Sequence, residues 1–249
     1  MKERENLWLR PEQPARGPRP RFGRAEMTRA AIAIADAEGL AALSMRRLAA
    51  DLDAGPMSPY SYITGKDELI ELMVDAVTAE FLRPDGAACG DWRTELRDLA
   101  RRMRSAMHRH PWMAEIGLRR QAASPNRIRL FEQVLGVLDA LELSMDAMLT
   151  TMIMIFVHVY GFVQIELADQ EAQRHTGLEL SAWMRRQLPY IESVVSAGDH
   201  PMFARMTAEA GRTLTGFDER WEYGLERLLD SIQGSAGGRR AAGETRPPV

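Results

Sequence analysis

The chain has 249 residues, with 45% hydrophobic and 27% charged side chains and a formal net charge of −3. Those values fit a soluble globular protein of one large or two smaller domains, and they exclude a disordered chain and a strongly basic one. A single cysteine, Cys89, excludes an internal disulfide framework and a cysteine-rich metal site.

The N-terminus, MKERENLWLRPEQPARG, lacks the apolar core of a secretory signal. Lys2 and Lys66 are the only lysines among 32 basic residues, an arginine bias common in GC-rich bacteria. These features point to a bacterial, cytoplasmic protein. Residues 1–23 set Pro11, Pro14, Pro18 and Pro20 among Arg10, Arg16, Arg19 and Arg21, with little apolar periodicity. That composition reads as an extended basic arm, disordered in isolation. Through Arg24 there are 7 basic residues against 3 acidic, whereas from Ala25 to Arg83 there are 5 against 10.

Nearly everything that follows reads as helix. Met27, Ala30, Ala31, Ile34 and Ala35 keep the i, i+3, i+4, i+7 spacing of a first helix, and Gly39 supplies its stop. Ser44 is a natural N-cap for a second, with Met45, Leu48, Ala49 and Leu52 on one stripe. After a turn at DAGP comes a very short helical segment over about 56–62. A fourth helix is predicted from Lys66 to about Leu82, with Leu69, Leu72, Met73, Ala76 and Val77 on a shared face. The glycine- and proline-rich stretch 83–90 reads as a boundary, giving a head over 24–83 and a body over 84–233. Helices are expected in the body at about 91–109, 111–120, 124–142, 145–171, 178–197, 201–210 and 217–233, with a flexible tail from Gly234.

One segment challenges solubility. The 19 residues between Asp146 and Glu166 carry no charge, close to the roughly 20 needed to cross a bilayer. Thr150, Thr151, His158 and Gln164 would be poorly satisfied in hydrocarbon, and the flanks are acidic. The segment reads instead as a helix buried in a core or a subunit interface, with no membrane association.

Two short helices joined by a tight turn and packed on a longer one make a DNA-binding helix-turn-helix, because a short exposed helix fits the major groove while its neighbours set the angle. Spacing alone leaves a generic helical hairpin open. Residues 24–82 resemble the N-terminal domain of the TetR family of bacterial transcriptional regulators, on Ala30-Ala31, Ser44, Leu48-Ala49, Tyr60, Ile63 and Lys66-Asp67-Glu68-Leu69. Residues from GDW (90–92) through HPW (110–112) to FDERWEYGLERLLDSI (217–232) are similar, more loosely, to the ligand-binding domain of the tetracycline-repressor-like branch.

The resemblance implies an all-α fold: a three-helix DNA-binding head with a helix-turn-helix, and a larger α-helical domain for effector binding and dimerisation. It implies a repressor that binds a palindromic operator in double-stranded DNA as a homodimer and is released by a small apolar molecule. A transcriptional activator, or a ligand-independent regulator, is the alternative within the same family. A helical membrane-associated or interaction protein is the alternative outside it.

Two departures from the family pattern bear on DNA reading. Pro59 stands where the family has an apolar helix-compatible residue, and Ser61 replaces a larger side chain. The segment offers Met57, Ser58, Tyr60, Ser61 and Tyr62 but no side chain for bidentate base contact, so hydrogen-bonded base discrimination should be modest. The resemblance assigns backbone contacts to Tyr60, Lys66 and Ser44. Arg46 and Arg47 sit in the first turn of the second helix, where they oppose its dipole, so an external anion is expected beside them.

An enzyme needs a nucleophile with its base, a metal cluster or a phosphate loop. His108 and His110 point to different helix faces, the other histidines (His158, His175 and His200) are scattered, and no GxGxxG, Walker-type or GxSxG pattern occurs. No catalytic residue, metal or cofactor is expected. In the body, Met103, Met107, Trp112, Phe131, Thr151, Met152, Phe156, His158 and Trp183 are the candidate effector residues, since methionine and aromatic walls adapt to flat or greasy ligands. For the dimer interface the candidates are Gly161, Gly224, Leu225 and Leu228. A glycine inside a helix costs about 0.5–1 kcal/mol relative to alanine, which close approach of two backbones would explain.

Overall fold

A computed structural model describes residues 6–11, 22–84, 90–117, 123–196, 198–209 and 216–242. The described residues are helical and include no strand. In order they form α1 (Arg24–Glu38), α2 (Met45–Asp51), a 3-10 turn (Ser58–Ser61), α3 (Lys66–Thr78) with a 3-10 turn (Ala79–Phe81), α4 (Trp92–Arg109), α5 (Trp112–Ile116), α6 (Pro125–Asp139), α7 (Met145–Thr176), α8 (Leu180–Val195), α9 (Pro201–Glu209) and α10 (Phe217–Ala242).

The head forms where periodicity places it. Met27, Ala31, Ile34 and Ala35 bury one face of α1, and Gly39 ends the helix with a φ of 82°, a left-handed conformation that favours glycine. Ser44 caps α2, its Oγ accepting from the Arg47 amide at 3.1 Å. Leu48, Ala49, Ile63, Leu69 and Met73 are all buried, with α1 packed on both α2 and α3.

The N-terminal arm differs from the expectation over its described part. Residues Leu7–Leu9 make a 3-10 turn, and Leu7 is only 3% exposed. Arg24 donates to the carbonyls of Leu7 and Arg10 at 3.4 and 3.2 Å, and Arg10 pairs with Glu68 at 2.6 Å. Apolar burial and two arginine anchors thus order residues that composition assigns to an unstructured arm. Most of that arm, 1–5 and 12–21, lies outside the described residues.

Two compact units emerge, Met1–Tyr160 and Gly161–Ala242. The first unit holds both the head and the first helices of the body, because α3 packs along α6 and its terminal 3-10 turn packs on both α4 and α6. In the first unit α7 buries Met148, Met152, Ile155 and Val159, a stripe at helical spacing. Helix α7 is long and apolar enough to cross a membrane by length and composition; the buried stripe packs one of its faces into the core. Its Leu149, Ile153, Met154 and Val157 remain exposed.

In the second unit Trp221, Leu225, Leu229 and Ile232 form the buried stripe of α10, and the Phe162 ring meets Trp221 edge-on at 5.5 Å. Helix α10 continues to Ala242, beyond the predicted start of the tail at Gly234. No proline interrupts before Pro247, so each further residue adds a helical hydrogen bond to an existing helix. Residues 243–249 of the expected tail lie outside the described residues.

Candidate DNA-binding head and effector cavity

The segment between α2 and α3 is tighter than the short α-helix expected there. Tyr60 donates its amide to the Met57 carbonyl at 3.2 Å and Tyr62 to the Pro59 carbonyl at 3.1 Å, a 3-10 pattern. Pro59 sits in the first turn, where its missing N–H has no intrahelical partner to lose, and its ring is buried. The turn therefore presents Met57 (72% exposed), Tyr60 and Ser61 to solvent, with Ser58 partly covered.

Tyr62 corrects the sequence reading. It is 7% exposed, its hydroxyl donates to the Phe22 carbonyl at 2.7 Å, and its ring lies 5.5 Å from that of Phe22. Burial, reinforced by Glu26, pushes its phenol above the usual range. Tyr62 anchors the entry to α1 and is not available to DNA. Lys66 donates from Nζ to the Leu40 carbonyl at 3.1 Å, which fixes the ammonium and leaves two of its three donors for another acceptor. Arg47 pairs with Glu38 at 2.8 Å, both side chains about half exposed, whereas Arg46 projects into solvent.

Behind the head lies a cavity of about 160 Å³. Val74, Thr78 and Phe81 contribute from α3 and its terminal turn, Met103 from α4, and Met113 and Gly117 from α5 and its end. Helix α6 adds Arg127, Leu130 and Phe131, and α7 adds Ile153, Phe156, Val157 and Tyr160. The Phe131 and Phe156 rings are 6.5 Å apart and tilted, and the Arg127 guanidinium lies 5.3 Å from the Phe131 centroid. Burial pushes the Tyr160 phenol up to about 12, against the opposing pull of Arg127.

Of the predicted effector residues, Met103, Phe131 and Phe156 line this cavity. Met107 and Trp112 are core side chains outside the lining; the Trp112 indole donates to Asp36 Oδ1 at 2.7 Å. Thr151 and Met152 are buried, and His158 is half-buried, with burial holding its imidazole below the usual range; none of the three lines the cavity. Trp183 is 45% exposed on α8 in the second unit. The polar residues that line the cavity are Arg127, Tyr160 and Thr78, and Thr151 and His158 are not among them. Thr78 was hidden because periodicity marks one face of α3, while two of its faces are covered.

Two joints tie the cavity walls to the head. The buried Asp75 carboxylate on α3 accepts from the Asn126 amide at 2.8 Å and from its Nδ2 at 2.9 Å, capping the start of α6 where negative charge is favoured. Asp36 on α1 holds both the Trp112 indole and His110 Nδ1, the latter at 2.9 Å, while His110 Nε2 lies 3.1 Å from Glu80, which Arg109 also engages.

Residues 84–235 match the family model described as "Tetracyclin repressor-like, C-terminal domain". Over 243 residues the chain is 36% identical to the HTH-type transcriptional repressor DrrR1 of Streptomyces coeruleorubidus, covering 98% of this chain and 88% of that protein. The chain belongs to the TetR family. It is a helix-turn-helix transcriptional repressor, not an enzyme. Another relative, the HTH-type transcriptional repressor Rv1353c of Mycobacterium tuberculosis, is 28% identical over 193 residues, covering 76% of this chain and 71% of that one. Apo ActR from Streptomyces coelicolor has the same fold, with a TM-score of 0.75 and 25% identity, over 90% of this chain and 100% of that one. ActR in complex with actinorhodin gives 0.73 and 26%, over 87% and 97%.

Leu225 does not fit the dimer contact expected of it. That residue is 0% exposed within a single chain, so it packs the second unit and has no surface to offer a partner. Gly161, Gly224 and Leu228 keep partial exposure, and a Cβ built at Gly161 meets nothing within 4 Å.

Proposed function

We propose that this TetR-family repressor acts in the cytoplasm as a homodimer on a palindromic operator, and that a small apolar aromatic molecule entering the cavity releases it. The observation that carries this reading is that Val74, Thr78 and Phe81, on α3 and its terminal turn, form one wall of the cavity. An occupant touches the very helix that supports the head. At about 160 Å³ the cavity is smaller than the roughly 300 Å³ at which typical ligand pockets begin, so a drug-sized effector either parts its walls or extends past the exposed Ile153 and Val157. Met103 and Met113 can repack; an occupant that presses on Val74, Thr78 and Phe81 shifts α3, and with it the spacing of the two heads against the half-sites. ActR, which shares this fold, is known in complex with actinorhodin, and that supports a ligand-bound state here.

Met57, Ser58, Tyr60 and Ser61 face the bases, while Ser44, Arg46, Arg47 and Lys66 meet phosphates. Partner subunits approach along α7 and α10 around Gly161, Gly224 and Leu228. A gel shift with DNA upstream of the chain's own gene, repeated with a panel of aromatic metabolites, tests the reading. Retarded DNA that one of the compounds frees is expected; no retardation of any upstream fragment contradicts it.

A further inference from the structure

One charged side chain breaks the apolar wall of the cavity. Arg127, half-buried on α6, lines it with its guanidinium against the face of Phe131. Among the described residues no carboxylate pairs with it. Asp75, the acid at the start of α6, is already occupied by the amide and side chain of Asn126. The neighbour that Arg127 feels electrostatically is the Tyr160 phenol, a neutral group at physiological pH. Burying a cation costs free energy unless an anion or a set of acceptors compensates it, and a face-on aromatic ring compensates only in part. The planar fork of an arginine is built to receive two oxygens side by side.

We propose that the effector carries a carboxylate on a flat aromatic body, with Arg127 receiving the carboxylate and Phe131 and Phe156 receiving the ring. Tyr160, held in its protonated form, donates its hydroxyl hydrogen to the same anion. The inference rests on the reading of this cavity as the effector site and replaces a wholly apolar effector with an aromatic one that carries a single negative charge. A cavity near 150 Å³ lined by aliphatic and aromatic groups admits a single small ring system. Two probes of nearly equal shape therefore suit it, benzoate and benzamide.

Calorimetric titration of both probes into the full chain, its Arg127→Met variant and its Phe156→Ala variant tests the proposal. The carboxylate should bind the wild type at least about tenfold more tightly than the carboxamide, and Arg127→Met should abolish that preference by weakening the carboxylate far more than the carboxamide. The wild-type comparison requires no variant and decides on its own if Arg127→Met does not fold. Equal affinity of the two probes, both weakened by Phe156→Ala, keeps the cavity as the effector site and overturns the carboxylate. Binding that Phe156→Ala leaves untouched, or no binding of either probe up to millimolar concentration, overturns the cavity reading and the carboxylate with it.

Discussion

The Tyr160 ring occupies the space that a side chain at Gly117 would need: a Cβ built there stands 2.0 Å from Tyr160 Cε1 and 2.3 Å from its hydroxyl oxygen. The conformation of Gly117 is ordinary right-handed helix, so close approach, not backbone freedom, demands glycine here. Alanine at 117 must push the ring aside, and the cavity is the open space beside it. We expect Gly117→Ala to cost about 1–3 kcal/mol of stability in urea denaturation. Effector binding should weaken at least about tenfold while operator affinity without effector is retained.

Asp36 and Trp112 join the head to the body through one hydrogen bond of 2.7 Å, donated by a fully covered indole. Asp36→Ala leaves that N–H without its acceptor, at a cost of about 1–3 kcal/mol. The same change frees α1 from the α4–α5 corner. Effector should still bind, and the factor by which it weakens operator binding should shrink. That factor is read by titrating operator with and without saturating effector.

Acid stability should depend on Glu68. Burial pushes its carboxyl up, but hydrogen bonds from Arg10 and Thr64 together outweigh it and hold the group below its ordinary 4.5. A carboxyl lowered on folding adds stability that is fully present above the unfolded value and is lost as pH falls through the folded one. Wild-type stability should therefore decline from about pH 5 downward, and Glu68→Gln should be less stable at neutral pH and flatter through that window. Urea midpoints measured at several pH values check both parts.

DNA affinity should report Lys66 through its salt dependence. Its ammonium, fixed on the Leu40 carbonyl, stands at the N-terminus of α3 beside the exposed turn Ser58–Ser61. Lys66→Ala should weaken binding to all duplexes alike and flatten the log Kd against log salt slope by about one unit per half-site. A change in sequence preference with an unchanged slope would remove Lys66 from the phosphate contacts.

The helical layout was legible because amphipathic periodicity, Ser44 and Gly39 are local signals, and the observed bounds of α1, α2, α4 and α6 follow them. Burial of Tyr62 was not legible. Its partner carbonyl is at Phe22, 40 residues away, and a tyrosine in a recognition segment looks the same in sequence whether it points in or out. Nor was the α3 wall of the cavity, since Asp75 meets Asn126 51 residues later and no local pattern encodes that pairing. Met103, Phe131 and Phe156 were recoverable as large apolar groups, whereas the glycine at 117 carries no side chain to mark it.

The central claim is that occupancy of the cavity and occupancy of the operator oppose each other through α3. Operator Kd, measured with and without a saturating compound whose binding is lost in Phe156→Ala, tests it most directly. The account predicts a rise of about 5- to 150-fold, matched by an equal loss of the compound's affinity when operator is bound, because coupling between two sites is reciprocal. An operator Kd that stays constant at saturation of the cavity would contradict it.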